Sequence, residues 1–387
     1  AAIEAHADHG LQQTLLVESV TGLETLKSLS GEGVMLGRWR QLAELGARSQ
    51  ERLRDISSAA IGLASTAQQA CNVALIVGGY YLFDAGQITM GAIIAIVMLS
   101  SRSLSPAAQL AYLLTRAQQS RQTLESIQQL WDGDDERRKG SASFVPVVRS
   151  ADLKLENLSF TYPGAQVASL DSINLTVKPG DRIALIGRVA SGKSTLGRLL
   201  CGLYEPSDGA MMVGGIDSRQ FRPQDLRAAF RFVGQDAAHF TGTIKDNLML
   251  GASGASEADL VAALQAIGAD QFLSRDAGGF DRPVGENGVR LSGGQRSFLS
   301  ISRALVASNK LLFLDEPTGA MDSQTEKHLV ERLSCYLTPQ HTLIISTHRP
   351  ALFALCNRIV VLDNGRIVAD GSRDEILAGA GAGAAGA

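Results

Sequence analysis

Residues 187–194 read GRVASGKS and fit the pattern G-x-x-x-x-G-K-[ST]. In that pattern Gly187 and Gly192 permit a tight bend, and the backbone N–H groups of Arg188, Val189, Ala190 and Ser191 turn around a phosphate chain. Lys193 reaches the terminal phosphates, the Ser194 hydroxyl takes a place on Mg²⁺, and Thr195 follows in a helix whose positive end faces the same phosphates. Downstream, LLFLDE at 311–316 is a hydrophobic strand closed by two acids. Asp315 is positioned to serve the metal, and Glu316 to orient or deprotonate an attacking water. An acid pair at a strand end can also simply cap a helix, but after a phosphate loop the chemical reading carries more weight. LSGGQ at 291–295 lies between the two strings. Mg²⁺ and a nucleotide are the ligands this set implies.

Elements of definite kinds must position these residues. LKLENLSFTY and INLTVKPGDRIALIG read as strands, the second feeding the phosphate loop and then a helix from Lys193. A helix-rich stretch is expected from Ala255 to Leu273. The strands LLFLD and TLIIS then alternate with helices, and IVVLDNGRIV closes as a hairpin on Asn364-Gly365. The pattern predicts an α/β domain over 151–378, with a charged, Pro-containing linker over 132–150 before it and a low-complexity tail without structure at 379–387.

The front of the chain has a different character. Over 11–56, Leu16, Val20, Leu23, Leu26 and Leu29 recur at helical spacing, with a Gly-containing break at 30–33. Residues 57–83 carry no charge, and 90–114 carry only Arg102; each is long enough to span a bilayer. Arg48, Arg52 and Arg54 precede the first segment and Arg116 and Arg121 follow the second, while 84–89 has no Lys or Arg. That placement predicts cytosolic ends and an external turn. A buried soluble hairpin is the alternative, since Gln68, Gln69 and Pro106 interrupt the apolar runs. Gln68, Gln69 and Arg102 either line a translocation route or, for Arg102, snorkel to the cytosolic side.

Composition excludes more than it selects. The net charge is −3, near-balanced on both sides of residue 150, so no basic stripe points to nucleic acid. The four cysteines stand far apart without CxxC or Cys/His spacing, which fits a reducing compartment and neither a disulfide frame nor a zinc site. The chain starts without Met or a leader, and is expected to be part of something longer.

From Tyr162 to His348 the chain resembles the nucleotide-binding domain of an ATP-binding cassette (ABC) exporter, with a RecA-like core and a helical subdomain. The resemblance implies that Tyr162 in FTYPG stacks on adenine and that Gln235 in FVGQD senses Mg²⁺ and water. It implies that Ser292, Gly293, Gly294 and Gln295 cap the γ-phosphate of ATP held by a second copy, that Asp322 in GAMD is the D-loop acid, and that His348 in STHR is the switch histidine. Residues 18–39 resemble the coupling-helix loop between the fourth and fifth transmembrane helices, and 57–83 and 90–114 the last two helices of a partial transmembrane domain covering 1–131, with 1–56 its cytosolic coupling-helix region. ITMGAIIAIVMLSSRSLSPAAQLA, GRVASGKST, GENG and GAMD look most like bacterial type I secretion permease/ATPases, exporters of RTX toxins and adhesins. That implies a head-to-tail homodimer in the bacterial inner membrane, multi-pass, with its nucleotide-binding domain cytoplasmic. A periplasmic adaptor, an outer-membrane channel and a secreted polypeptide would be its partners.

Four positions depart from the family pattern. Ala190 and Gly319 stand where glycine and serine are usual, Gly234 replaces a frequent proline, and Ser297 a common glutamine. A Cβ at 190 crowds the phosphates or strains the loop if that position needs a positive φ, with a cost in ATP affinity. Four transmembrane helices and any peptidase-like domain of such exporters would lie upstream. The rival readings are a lipid, peptide or drug exporter, a soluble ABC ATPase working on nucleic acid or ribosomes, and an ATP-binding remnant that does not hydrolyse.

Overall fold

The computed structural model describes residues 2–132, 147–252, 254–271, 278–307 and 309–384. Most of the expected linker, 133–146, and the end of the helix-rich stretch, 272–273, fall outside the described residues. The chain divides into two compact units, Ala1–Asp135 and Glu136–Ala387.

The first unit is helical: α1 (Ala2–Thr21), α2 (Leu23–Ser28), α3 (Glu32–Asp84) and α4 (Met90–Trp131). α3 packs on α4 and on α1, and Gln12 Nε2 donates to Leu42 O at 2.8 Å. At the α3–α4 turn Thr89 caps α4 by accepting from Ala92 N at 3.4 Å. Gly79 lets Ile93 come close, since a Cβ there would meet it at 3.3 Å. α3 runs 53 residues without a break where the sequence changes from charged to apolar. Hydropathy marks a change of surroundings, whereas Arg, Glu, Leu and Ala are all good helix formers and continue the same backbone. At about 1.5 Å per residue α3 is about 80 Å long, against a hydrocarbon layer of about 30 Å. Among the described residues it is the one helix long and apolar enough to cross a membrane. Its apolar window has mean hydropathy 1.3 and is 0% buried in the chain. The second expected span falls in α4, whose apolar stretch is Met90–Ser100.

The second unit holds two sheets. β1 (Leu153–Phe160), β2 (Leu170–Val177), β4 (Asp208–Val213) and β5 (Ile216–Asp217) form an antiparallel sheet ordered β2-β1-β4-β5. β3 (Arg182–Gly187), β6 (Phe230–Val233), β7 (Leu311–Asp315), β8 (Thr342–Ser346), β9 (Arg358–Asp363) and β10 (Arg366–Ser372) form the other, ordered β10-β9-β3-β8-β7-β6. From β9 to β6 the strands are parallel, and β10 pairs antiparallel as the second arm of the hairpin predicted at Asn364-Gly365. Both turn residues have positive φ, 46° and 75°, as a tight two-residue hairpin requires.

Each parallel strand is apolar on both faces. Ile183, Leu185, Leu311, Phe313 and Ile344 enter one core with the antiparallel sheet and α5 (Lys193–Leu200). Ala184, Leu312, Leu314, Leu343 and Ile345 enter the other, beneath α7 (Ile244–Met249), α8 (Glu257–Gln265), α9 (Gly293–Leu305) and α10 (Ser323–Tyr336). Alternate residues thus serve opposite cores, which is why β7 and β8 read as continuous hydrophobic runs. α6 (Pro223–Ala229) precedes β6, and α11 (Arg373–Ala384) closes the chain.

The tail corrects an expectation, because α11 continues to Ala384 through residues read as structureless.

Candidate active site

Parallel pairing puts the ends of β3, β6, β7 and β8 on one edge of the sheet. Val233 pairs with Leu314 and Asp315 with Ser346, while Leu185 pairs with Ser346 on the other side of β8. Gly187, Gln235, Asp315, Glu316 and His348 all leave from that edge, where open α/β sheets bind their ligands.

The phosphate loop is held from below. A Cβ on Gly187 would collide with Leu362 O and stand 2.8 Å from Ser191 Oγ, so only glycine lets β9 approach. Gly365 N donates to Ser191 O at 3.1 Å, tying the loop to the β9–β10 turn. Gly192 has φ 103°, a conformation that glycine adopts at no steric cost. α5 lies directly on the sheet through Gly197, where a Cβ would stand 2.5 Å from the Phe313 ring. Lys193 is buried, and its Nζ donates to Gly187 O at 2.8 Å and Arg188 O at 3.0 Å. Burial pushes its ammonium below the usual lysine range, while Glu316 and Asp315 draw it back up.

Ala190 sits in this loop at φ 64°. The loop therefore follows a left-handed path with an L-residue in it, at a cost of about 1–2 kcal/mol. Its side chain is exposed, so the penalty is conformational. We expect Ala190→Gly to raise stability by about 1 kcal/mol in denaturant unfolding. A midpoint that falls would contradict this.

Asp315 is buried at the end of β7. Glu316 adopts φ 47°, and its N–H donates to Ser346 O at 2.9 Å. His348 Nε2 lies 3.5 Å from Glu316 Oε1. Burial pushes the Glu316 carboxyl above the usual range, helped by Asp315 and opposed by His348 and Lys193. A base must be ionised to accept a proton, so the acid limb of the rate profile is expected above the ordinary carboxylate range. His348→Ala removes one opposing influence and is expected to move that limb higher still; a pH series of turnover rates checks both.

Ser191 Oγ and Ser346 Oγ are buried without partners, which leaves polar capacity facing this edge for phosphate oxygens or a hydrated ion. Among the described residues no group of three His, Cys, Asp or Glu side chains is arranged to hold a metal ion by itself. Ser194, Asp315 and Gln235 would supply one carboxylate and two neutral oxygens, the sparse set suited to Mg²⁺ that shares its shell with phosphates. When bound, the ion would neutralise charge developing on those phosphates.

Tyr162 stands edge-on to Phe160 and Tyr204, with centroids at 4.9 and 5.4 Å. Its hydroxyl lies 3.2 Å from Thr195 Oγ1 and accepts from Arg198 Nη1 at 3.0 Å, which fixes the ring beside α5. Gln235 is exposed two residues past β6. Ser292 caps α9 in a capping box with Gln295, the two bonds being 3.0 and 3.3 Å. Gly293 packs near Ala320 of the 316–322 loop, where a Cβ on Gly293 would come within 3.0 Å of the alanine methyl. Among the described residues no hydrogen bond joins 292–295 to 187–195. Asp322 caps α10, accepting from Gln324 N and Thr325 N at 3.0 and 2.9 Å. The Thr325 N–H and hydroxyl hold its carboxyl below the usual range. The chain thus gathers Lys193, Ser194, Asp315, Glu316 and His348 at one edge, with Ser292–Gln295 in a separate place on α9. Sequence reading missed Ser346, Arg198 and Arg349; Ser346 and Arg349 flank the motif histidine in STHR, which was the available signal.

Residues 170–319 match the family model described as ABC transporter. The chain is 33% identical over 365 residues to an ATP-dependent lipid A-core flippase of Aromatoleum aromaticum, covering 94% of this chain and 60% of that protein. It is 32% identical over 366 residues to the alpha-hemolysin translocation ATP-binding protein HlyB of Escherichia coli O157:H7, covering 94% and 51%. Among solved structures it is similar to a bacterial Atm1-family ABC exporter with ATP bound, at 26% identity and TM-score 0.90, covering 97% of this chain and 66% of that one. The chain spans between half and two thirds of the length of these proteins.

Proposed function

Because this chain carries the ATPase domain of an ABC transporter, we propose that it is the C-terminal part of an exporter that couples ATP hydrolysis to movement of a substrate across the bacterial inner membrane. The observation that carries the reading is that Asp315, Glu316 and His348 leave the ends of the adjacent strands β7 and β8, beside β3 where it opens into the phosphate loop, with His348 Nε2 3.5 Å from Glu316 Oε1. Catalysis there is positioning and charge stabilisation: Lys193 holds the terminal phosphates, Glu316 accepts the proton of the attacking water, and His348 steadies that carboxylate. Tyr162 supports adenine. The signature Ser292–Gln295, apart from the phosphate loop in this chain, is supplied to a second copy, and two copies close head to tail on two ATP molecules.

Residues 1–131 supply part of the membrane domain, with the apolar portions of α3 and α4 as its last two helices. The apolar window of α3, unburied in the chain, supports lipid or neighbouring helices around it.

For the cargo we favour an unfolded polypeptide, delivered through a periplasmic adaptor and an outer-membrane channel, on the motif pattern of 88–111 and the similarity to HlyB. A lipid cargo is the second reading, favoured by the similarity to lipid A-core flippases. The full-length protein in lipid nanodiscs separates them. Stimulation of its ATPase by an unfolded polypeptide, and none by lipid A-core, is the expected result; the converse would establish the lipid reading.

A further inference from the structure

The two loops that carry Glu316 and His348 leave neighbouring strands and are joined at their roots by Glu316 N to Ser346 O, 2.9 Å. A second tie comes from Arg349, the residue after His348. Its Nη1 donates to Met321 O at 3.3 Å, and its Nη2 to Gly319 O at 3.4 Å. Nη1 also lies 3.4 Å from Glu326 Oε2 in the first turn of α10. Glu326 is buried, and its other oxygen accepts from Thr318 Oγ1 at 2.6 Å. On the near side, Arg349 N donates to Thr347 Oγ1 at 3.0 Å.

One planar guanidinium therefore fastens the switch loop to both the middle of the 316–322 loop and the helix that begins after it. Arginine suits the task because its five donors are fixed in a fork, whereas a lysine ammonium is a single point of charge. The buried Glu326 carboxylate ensures that the fork has one place to sit, since an unpaired charge there would be expensive. The 316–322 loop ends at Asp322 and touches the signature helix through Ala320 and Gly293. A movement of the signature helix or of a neighbour pressing on that loop reaches His348 through Arg349.

We infer that Arg349, held by Glu326 and Thr318, is a positioning residue for hydrolysis that keeps Glu316 and His348 in register and links them to the state of the 316–322 loop. The inference rests on the reading of Glu316 as the base. It assigns no contact with ATP to Arg349, so its loss should affect turnover and leave substrate binding alone.

The test compares the full 387-residue chain with Arg349→Ala, Arg349→Lys, Arg349→Ala/Glu326→Gln and Glu316→Gln, measuring kcat and KM for ATP with Mg²⁺ and the thermal unfolding midpoint. A displacement of about 1 Å at a reacting group costs on the order of 100-fold. We expect kcat in Arg349→Ala to fall at least about 10-fold with KM within about twofold, an intermediate kcat in Arg349→Lys, and Arg349→Ala/Glu326→Gln no worse than Arg349→Ala. If the alanine variant does not fold, the lysine variant decides by the same split. Wild-type kcat in the Arg349 variants, with Glu316→Gln inactive, would overturn the strap and leave the base standing. Wild-type turnover by Glu316→Gln would overturn the base and the inference with it. A kcat loss matched by a KM rise and a lower unfolding midpoint would reduce Arg349 to a structural contact.

Discussion

Replacing Glu316 by glutamine stops ATP turnover, by a factor on the order of 10²–10⁴, and leaves ATP binding in place. The amide has the shape of the carboxylate, so the turn at φ 47° and the bond from Glu316 N to Ser346 O remain. What disappears is the proton acceptor. The carboxylate is already costly where it sits, since burial and Asp315 both oppose its ionisation. A neutral amide there removes that cost, so the variant should fold at least as well as the parent. Nucleotide binding measured by a fluorescent ATP analogue, beside phosphate release, checks both halves. Residual turnover near the wild-type rate would move the base elsewhere.

Lys193→Ala is expected to act one step earlier, by weakening ATP binding roughly 100-fold, equivalent to about 3 kcal/mol. Its ammonium does two things in one place. It staples the loop by donating to Gly187 O and Arg188 O, and its positive charge offsets those of Asp315 and Glu316. Removal takes the ammonium from Gly187 O, leaves Arg188 O with the bond from Ser191 N, and leaves the two acids facing the phosphates without a counter-charge. Arginine should not restore function, because its broad fork does not fit where a buried ammonium closes a loop on itself. Equilibrium titration with ATP decides: unchanged affinity would show that the backbone amides alone hold the phosphates.

These residues differ in how far the sequence disclosed them. The strand–loop–helix around Lys193 was legible because glycine positions, a lysine and a hydroxyl at fixed offsets encode a local turn. The Asn364-Gly365 hairpin was legible for the same reason. Ala190 was legible as a possible strain, and its φ of 64° gives that strain a location. The Glu316–His348 pair required knowing that β7 and β8 are neighbours, which pairing in the sheet establishes. The Arg349 strap was not legible. Its partners, Gly319 O, Met321 O and Glu326, lie more than twenty residues away and two are backbone carbonyls, which carry no side-chain signature. The unbroken course of α3 was also hidden, because helical backbone continues across a hydropathy boundary that reports only the surroundings.

ATP hydrolysis by Glu136–Ala387, the unit that contains both cores of the α/β domain, assayed with Mg²⁺ over a range of protein concentrations, is the decisive measurement. If the signature on α9 completes a site on a second copy, specific activity rises with concentration and disappears in Glu316→Gln. Specific activity that stays constant on dilution, or that survives in Glu316→Gln, would contradict a motor built from two chains with Glu316 as its base.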